Sequence, residues 1–199
     1  GPARLGYDHW QAFNFHCLFQ HAPYYEDSPK RLIMPRYETD SETDMAMEFM
    51  RQQQAAGQPF LLMVAPHPPH PPFRPKLCPA GYLERIRKDL VWPPNVPADH
   101  RHRREPLEAR CYYAMAKNVD DNVGRLMDFL ENSGLAKNTI VVFTSDHGEM
   151  MGSQDRENKM VPYREAVNIP CIVRWPGRID AGRRLDVLCT PMDHLPTLC

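Results

Sequence analysis

The chain has 199 residues, 42% of them hydrophobic, with 24 basic against 25 acidic side chains. That balance supports one ordinary domain with a substantial core, and it excludes both intrinsic disorder and a strongly basic nucleic-acid binder. No apolar run approaches the ~20 residues that span a bilayer, and Gly1-Pro2-Ala3-Arg4 offers no basic region leading into an apolar stretch, so the compartment stays open. The 21 prolines are about twice the usual ~5% share, which predicts long irregular connections. Cys17, Cys78, Cys111, Cys171, Cys189 and Cys199 lack zinc-type spacing, and Cys171 lies in an apolar run that reads as a buried free thiol.

Residues 1–40 are aromatic and polar without a period and read as packed loop. Ser41-Glu42-Thr43-Asp44 offers a helix start, and Met45, Phe49 and Met50 then recur at helical spacing, predicting a helix over 42–56 before Gly57. Phe60-Leu61-Leu62-Met63-Val64-Ala65 is a continuous apolar run suited to a strand buried on both faces. It stops at Pro66-His67-Pro68-Pro69-His70-Pro71-Pro72. Residues 73–105 are Pro-rich and basic and read as a long loop with a helical turn near 82–88. Apolar side chains from Leu107 to Leu130 then follow the helical period, predicting the longest helix over 106–133. Strands follow at 139–144 and 170–175. This order predicts an α/β sandwich with a largely parallel mixed sheet covered by helices on both faces, undivided by any linker.

In such sheets ligands bind beyond the carboxyl ends of strands, where His67 and the pair Asp146-His147 both fall. Asp146 and His147 directly follow a predicted strand, so the sheet holds their backbone while the side chains emerge at its rim. A carboxylate beside an imidazole suits a divalent cation, and Gly148 permits a tight turn; the alternative is an Asx turn with a solvated histidine. His67, fixed between Pro66 and Pro68, could donate a proton or bind an anion, or could simply pack in a proline-rich loop. His70 shares both options further from the strand end. Lys159 sits in a charged loop where most lysines are only solvated, but a cation near a divalent metal would hold a doubly charged oxyanion. The basic run His100-Arg101-His102-Arg103-Arg104 could meet an anionic polymer or be plain solvated surface, and the aromatics of 7–25 could stack on a ring or pack in the core.

Taken as a set, Phe60 to His67, Thr139-Ile140-Val141-Val142-Phe143-Thr144-Ser145-Asp146-His147-Gly148-Glu149, Lys159 and Tyr163 to Gly177 resemble the type I sulfatases of the alkaline-phosphatase superfamily. Leu5-Gly6-Tyr7-Asp8-His9-Trp10 is similar to the segment after that family's Gly-Lys-Trp-His region, and Pro191 to Leu198 to a late helix of its main domain. The resemblance implies a partial alkaline-phosphatase-like fold in which Asp146 and His147 supply part of a calcium site, Lys159 binds sulfate and His67 acts near the leaving-group oxygen. Many members carry Asn where His147 stands, which leaves manganese or zinc as alternatives to calcium.

The family's nucleophile is a formylglycine made from the Cys or Ser of a C/S-x-P-x-R motif, and no cysteine here fits: Cys189-Thr190-Pro191-Met192-Asp193 lacks the arginine. The family's paired N-terminal aspartates are missing too. Residues 1–199 are therefore expected to be the central to C-terminal part of a sulfatase catalytic domain, inactive alone, with the formylglycine segment outside the chain. The expected substrate is an aryl or carbohydrate sulfate ester, with no nucleic acid and no membrane span involved and the oligomeric state open. The alternatives are a phosphonate monoester or phosphodiester hydrolase on the same scaffold, and a non-catalytic module binding sulfated glycans.

Overall fold

A computed structural model describes residues 6–14, 16–99 and 106–198. The chain forms two compact units, one of residues 1–92 with 101–129 and one of 93–100 with 130–199. No change of composition marks the division, because its second crossing falls inside a continuous helix. The basic run at 100–104 lies outside the described residues.

The first unit opens with three short antiparallel strands where only loop was expected: β1 (Gln11–Ala12), β2 (Pro23–Glu26) and β3 (Leu32–Ile33). Gln11 stands opposite Glu26 and Pro23 opposite Ile33. Strands this short bury too few alternating side chains to leave a period in the sequence. Helix α1 (Glu38–Ala56) begins earlier than the Ser41 signal suggests. The Glu38 N–H bonds to the Phe19 carbonyl at 2.9 Å, and Ser41 acts from within the first turn, its hydroxyl accepting the Arg36 N–H at 3.2 Å. The helix ends at Gly57, whose φ of 65° is left-handed and whose N–H closes on Gln54 at 3.1 Å.

Helix α2 (Pro106–Asn132) forms where the helical period predicts it, but buries Ala109, Cys111, Ala114 and Met115, while Leu107, Tyr112, Ala116 and Val119 of the apolar series are only half-buried. That face also holds two buried amides one turn apart. Asn118 and Asn122 donate from Nδ2 to Asp40 Oδ1 at 2.9 and 2.7 Å, tying α2 to α1. Arg125 joins them, donating to Asn122 Oδ1 at 2.7 Å and to Asp44. Phe19, Met34, Tyr37, Met50 and Phe73 complete this unit's core; each fully buried large side chain contributes about 1.5–3 kcal/mol.

Residues 60–65 do not form a strand. Their exposure alternates instead, with Leu61 and Met63 each 68% exposed, the pattern of an extended segment for which no neighbour among the described residues supplies a ladder. A continuous apolar run specifies a buried strand only where partners flank it.

The second unit pairs β4 (Val141–Thr144) with β5 (Cys171–Arg174), antiparallel and in the register Val141 to Arg174 and Thr144 to Cys171. Every strand pair assigned among the described residues is antiparallel, so the expected largely parallel sheet is not seen among them. Periodicity reports which faces are apolar and is silent on strand direction. β4 is largely half-buried and β5 largely exposed, and Cys171, read as buried, is exposed because its strand lacks a covered face. Val96, Leu130, Ala136, Met150 and Ala166 are this unit's buried apolar residues. The short helices α3 (Arg164–Val167) and α4 (His194–Leu198) flank β5 in sequence. No helix is long and apolar enough to cross a membrane among the described residues.

Candidate active site

Asp146 and His147 lie just past the end of β4, with Ser145 between, where the sequence reading has them follow the strand directly. The Ser145 hydroxyl donates to the His147 carbonyl at 2.8 Å, and Asp146 Oδ1 accepts the His147 N–H at 2.9 Å, so the turn is braced from inside. Gly148 is required here by crowding rather than by turn conformation. Its N–H bonds to the Ala166 carbonyl at 2.8 Å, and a Cβ on it would lie 2.0 Å from the Glu165 carbonyl oxygen. Only a glycine lets the turn approach α3 this closely.

The His147 ring has a defined polarity. Nδ1 lies 2.8 Å from the Gly148 carbonyl, which can only accept, so Nδ1 carries the hydrogen and Nε2 presents its lone pair. Nε2 stands 3.4 Å from Asp146 Oδ2. Two electron-pair donors at this separation, with the Asp146 side chain 82% exposed, fit two ligand positions on one divalent cation.

The loop after this turn folds back on it. Met150 N–H bonds to the Asn158 carbonyl at 2.9 Å, Asn158 N–H to Glu149 Oε1 at 2.7 Å, and Gly152 N–H to the Arg156 carbonyl at 2.8 Å. Lys159 follows Asn158 directly, half-buried, in the same unit as Asp146 and His147. Asn95 clamps the loop, accepting from Ser153 Oγ at 3.2 Å and donating to Glu165. Nothing in the sequence around Asn95 signals this role, because its partners are 58 and 70 residues away.

His67 belongs to the first unit. Its turn is closed by the His70 N–H on the His67 carbonyl at 3.1 Å. The imidazole, 12% exposed, stacks on Phe13 at 5.1 Å between ring centres, meets Phe19 edge-on at 5.1 Å and lies 4.8 Å from the His70 ring. Nδ1 is 3.9 Å from Oε1 of Glu38, which is fully buried at the start of α1. The sequence gives no sign of Glu38, since a glutamate in a first helical turn is ordinarily solvated.

His16, Glu38 and His67 have ligand-type atoms within 4.8 Å of one another, yet His16 is committed elsewhere. Its Nδ1 accepts the Leu18 N–H at 3.3 Å, which leaves Nε2 to donate to the Pro23 carbonyl at 3.2 Å. Burial holds its pKa below the ordinary value, against the Pro23 bond, and Arg31 adds to the depression. Burial likewise pushes the Glu38 carboxyl up to about 8, and burial followed by Glu38 itself pushes Glu42 up to about 9.

Comparison with known proteins places this chain in a family. The sulfatase family profile matches residues 2–199. The chain is 34% identical to an ulvan-active sulfatase of Formosa agariphila and 30% identical to an endo-4-O-sulfatase of Bacteroides thetaiotaomicron, in each case over 98% of the chain and 39% of the relative. A solved sulfatase structure, yidJ of Bacteroides fragilis, superposes with a TM-score of 0.79 at 34% identity, covering 88% of this chain and 40% of that one. The chain thus spans about 39% of the length of these curated relatives. It belongs to the sulfatase family, within the alkaline-phosphatase superfamily.

Proposed function

We propose that these 199 residues are the central to C-terminal part of a sulfatase catalytic domain that hydrolyses carbohydrate sulfate monoesters. The formylglycine nucleophile of that enzyme lies outside the chain, since no C/S-x-P-x-R motif occurs within it. The name of the ulvan-active relative favours a sugar ester over an aryl one. The observation that carries the proposal is the polarised His147 ring, with Nε2 facing Asp146 Oδ2 at 3.4 Å and Nδ1 fixed by Gly148, in a chain that matches the sulfatase profile throughout.

Asp146 and His147 would hold a divalent metal, calcium in most of the family. When bound, the metal supplies Lewis-acid neutralisation of sulfate oxygens. Lys159 contributes a fixed positive charge to the same oxyanion and stabilises the charge that builds on it. His67 gives a proton to the departing alcohol oxygen, which is worth about 10²–10⁴-fold for a sugar hydroxyl. Its aromatic surround of Phe13 and Phe19 excludes water from one side and fixes the ring's aim.

The test compares the 199-residue chain with the protein encoded by the full reading frame containing it, both assayed on sulfated oligosaccharides with added calcium. Turnover by the longer protein alone is expected. Robust turnover by the 199 residues, or hydrolysis of phosphonate esters in preference to sulfates by the longer protein, overturns the proposal.

A further inference from the structure

Independently of the sulfatase reading, we propose that Cys171 and Cys189 are a disulfide-forming pair, closed by exchange with a low-molecular-weight disulfide such as oxidised glutathione, with His194 beside them as the proton acceptor.

The backbone holds both cysteines in place while leaving them open to solvent. Cys171 opens β5 and stands opposite Thr144 in the ladder, and Cys189 directly precedes a capped turn. There the Thr190 N–H bonds to Asp193 Oδ2 at 2.6 Å and the Asp193 N–H to the Thr190 carbonyl at 2.9 Å. Both cysteines are exposed free thiols, and their side chains hydrogen-bond to one another. His194, at the start of α4, sets Nε2 4.0 Å from the Cys171 sulfur. The chain between the cysteines has little to hold it: residues 175–190 form no strand or helix, and Leu185, Val187 and Leu188 are exposed. A bond between the sulfurs fastens this strap at both ends. The three groups do not bring ligand atoms within 4.8 Å of one another, as His16, Glu38 and His67 do among the described residues. They therefore suit a bond between two sulfurs better than a metal.

Partial desolvation, then the charge and hydrogen bond of Cys189, hold the Cys171 thiol above its ordinary pKa, which makes Cys189 the attacking sulfur. Its thiolate displaces one glutathione thiolate and forms the mixed disulfide. Cys171 then gives its proton to His194 Nε2 and attacks Cys189 Sγ, releasing the second glutathione. Two protein thiols are oxidised, one glutathione disulfide is reduced to two thiols, and the two protons leave on them. The buried pair Cys78 and Cys111 is the internal contrast. Those side chains also hydrogen-bond, but burial pushes the Cys78 thiol up to about 12 and shuts out the co-reactant.

The test reduces the intact protein, incubates it with oxidised glutathione at mildly alkaline pH, alkylates it and maps it by mass spectrometry after trypsin, which cuts between the two cysteines at Arg174, Arg178 and Arg184. A Cys171–Cys189 peptide pair that parts on reduction is expected, with Cys78 and Cys111 still reduced. His194→Ala is expected to slow closure several-fold and leave capture of the first glutathione unchanged; closure at the wild-type rate overturns the role of His194. Glutathione retained on either cysteine without closure, a bond from either to another cysteine, a Cys78–Cys111 bond formed first, or no reaction at all overturns the pair. Stoichiometric zinc uptake abolished by Cys189→Ser also overturns it, in favour of a metal centre.

Discussion

Replacing Glu38 by Gln changes how stability depends on pH, by an amount the structure sets. Glu38 is fully buried, and its carboxyl is pushed from the ordinary 4.5 up to about 8 by burial. Between these values the folded protein keeps a proton that the unfolded chain has lost. Unfolding then releases a proton, so the stabilising contribution is complete below pH 4.5 and drains away as pH rises toward the folded value. The slope is about 1.4 kcal/mol per pH unit, so at pH 7 wild-type protein forfeits about 3 kcal/mol that the Gln variant keeps. Glu42 contributes a slope of its own to both proteins, but Glu38 supplies part of its elevation, so it cancels only while Glu42 stays protonated in both folded forms. Urea unfolding at pH 5, 6 and 7, followed by circular dichroism, is expected to show the variant's advantage shrinking by about 1.4 kcal/mol per unit as the medium is acidified. A gap independent of pH refutes the reasoning.

Other outcomes follow from single contacts. Gly148→Ala drives a methyl group into the Glu165 carbonyl; a loss of about 1–3 kcal/mol in unfolding free energy is expected, with weakened metal affinity, and a stability equal to wild type contradicts the packing account. His147→Asn replaces imidazole by an amide oxygen, so calorimetry of the intact enzyme is expected to show preference shifting from manganese or zinc toward calcium; unchanged ranking means residue 147 is not a ligand. Asn118→Ala removes a buried donor to Asp40 while Asn122 remains, with an expected cost of about 1–2 kcal/mol in chemical unfolding.

What could be read from the sequence was whatever local pattern determines. The apolar period of α2 predicted a helix over 106–133 against the observed Pro106–Asn132, and two short apolar runs marked β4 and β5. The position of Asp146 and His147 just past β4 was legible because the apolar run marks where the chain leaves the strand. Features set by distant partners were not. The run at 60–65 is apolar enough for a strand but has no ladder neighbour among the described residues, and the antiparallel pairing of β4 with β5 leaves no trace in hydropathy. Glu38 and Asn118 read as surface residues by type, yet both are fully buried. Gly148 was read as permitting a tight turn, but what a side chain there would meet, the Glu165 carbonyl, is set by a residue distant in sequence.

The most direct measurement is a crystal structure of the intact enzyme with calcium and a bound sulfate or vanadate. Asp146 and His147 are expected as ligands of the ion, with Lys159 Nζ and His67 Nε2 within hydrogen-bond reach of the anion. A metal held by other residues, or His67 or Lys159 more than ~15 Å from the anion, too far to act on one reacting centre, contradicts it.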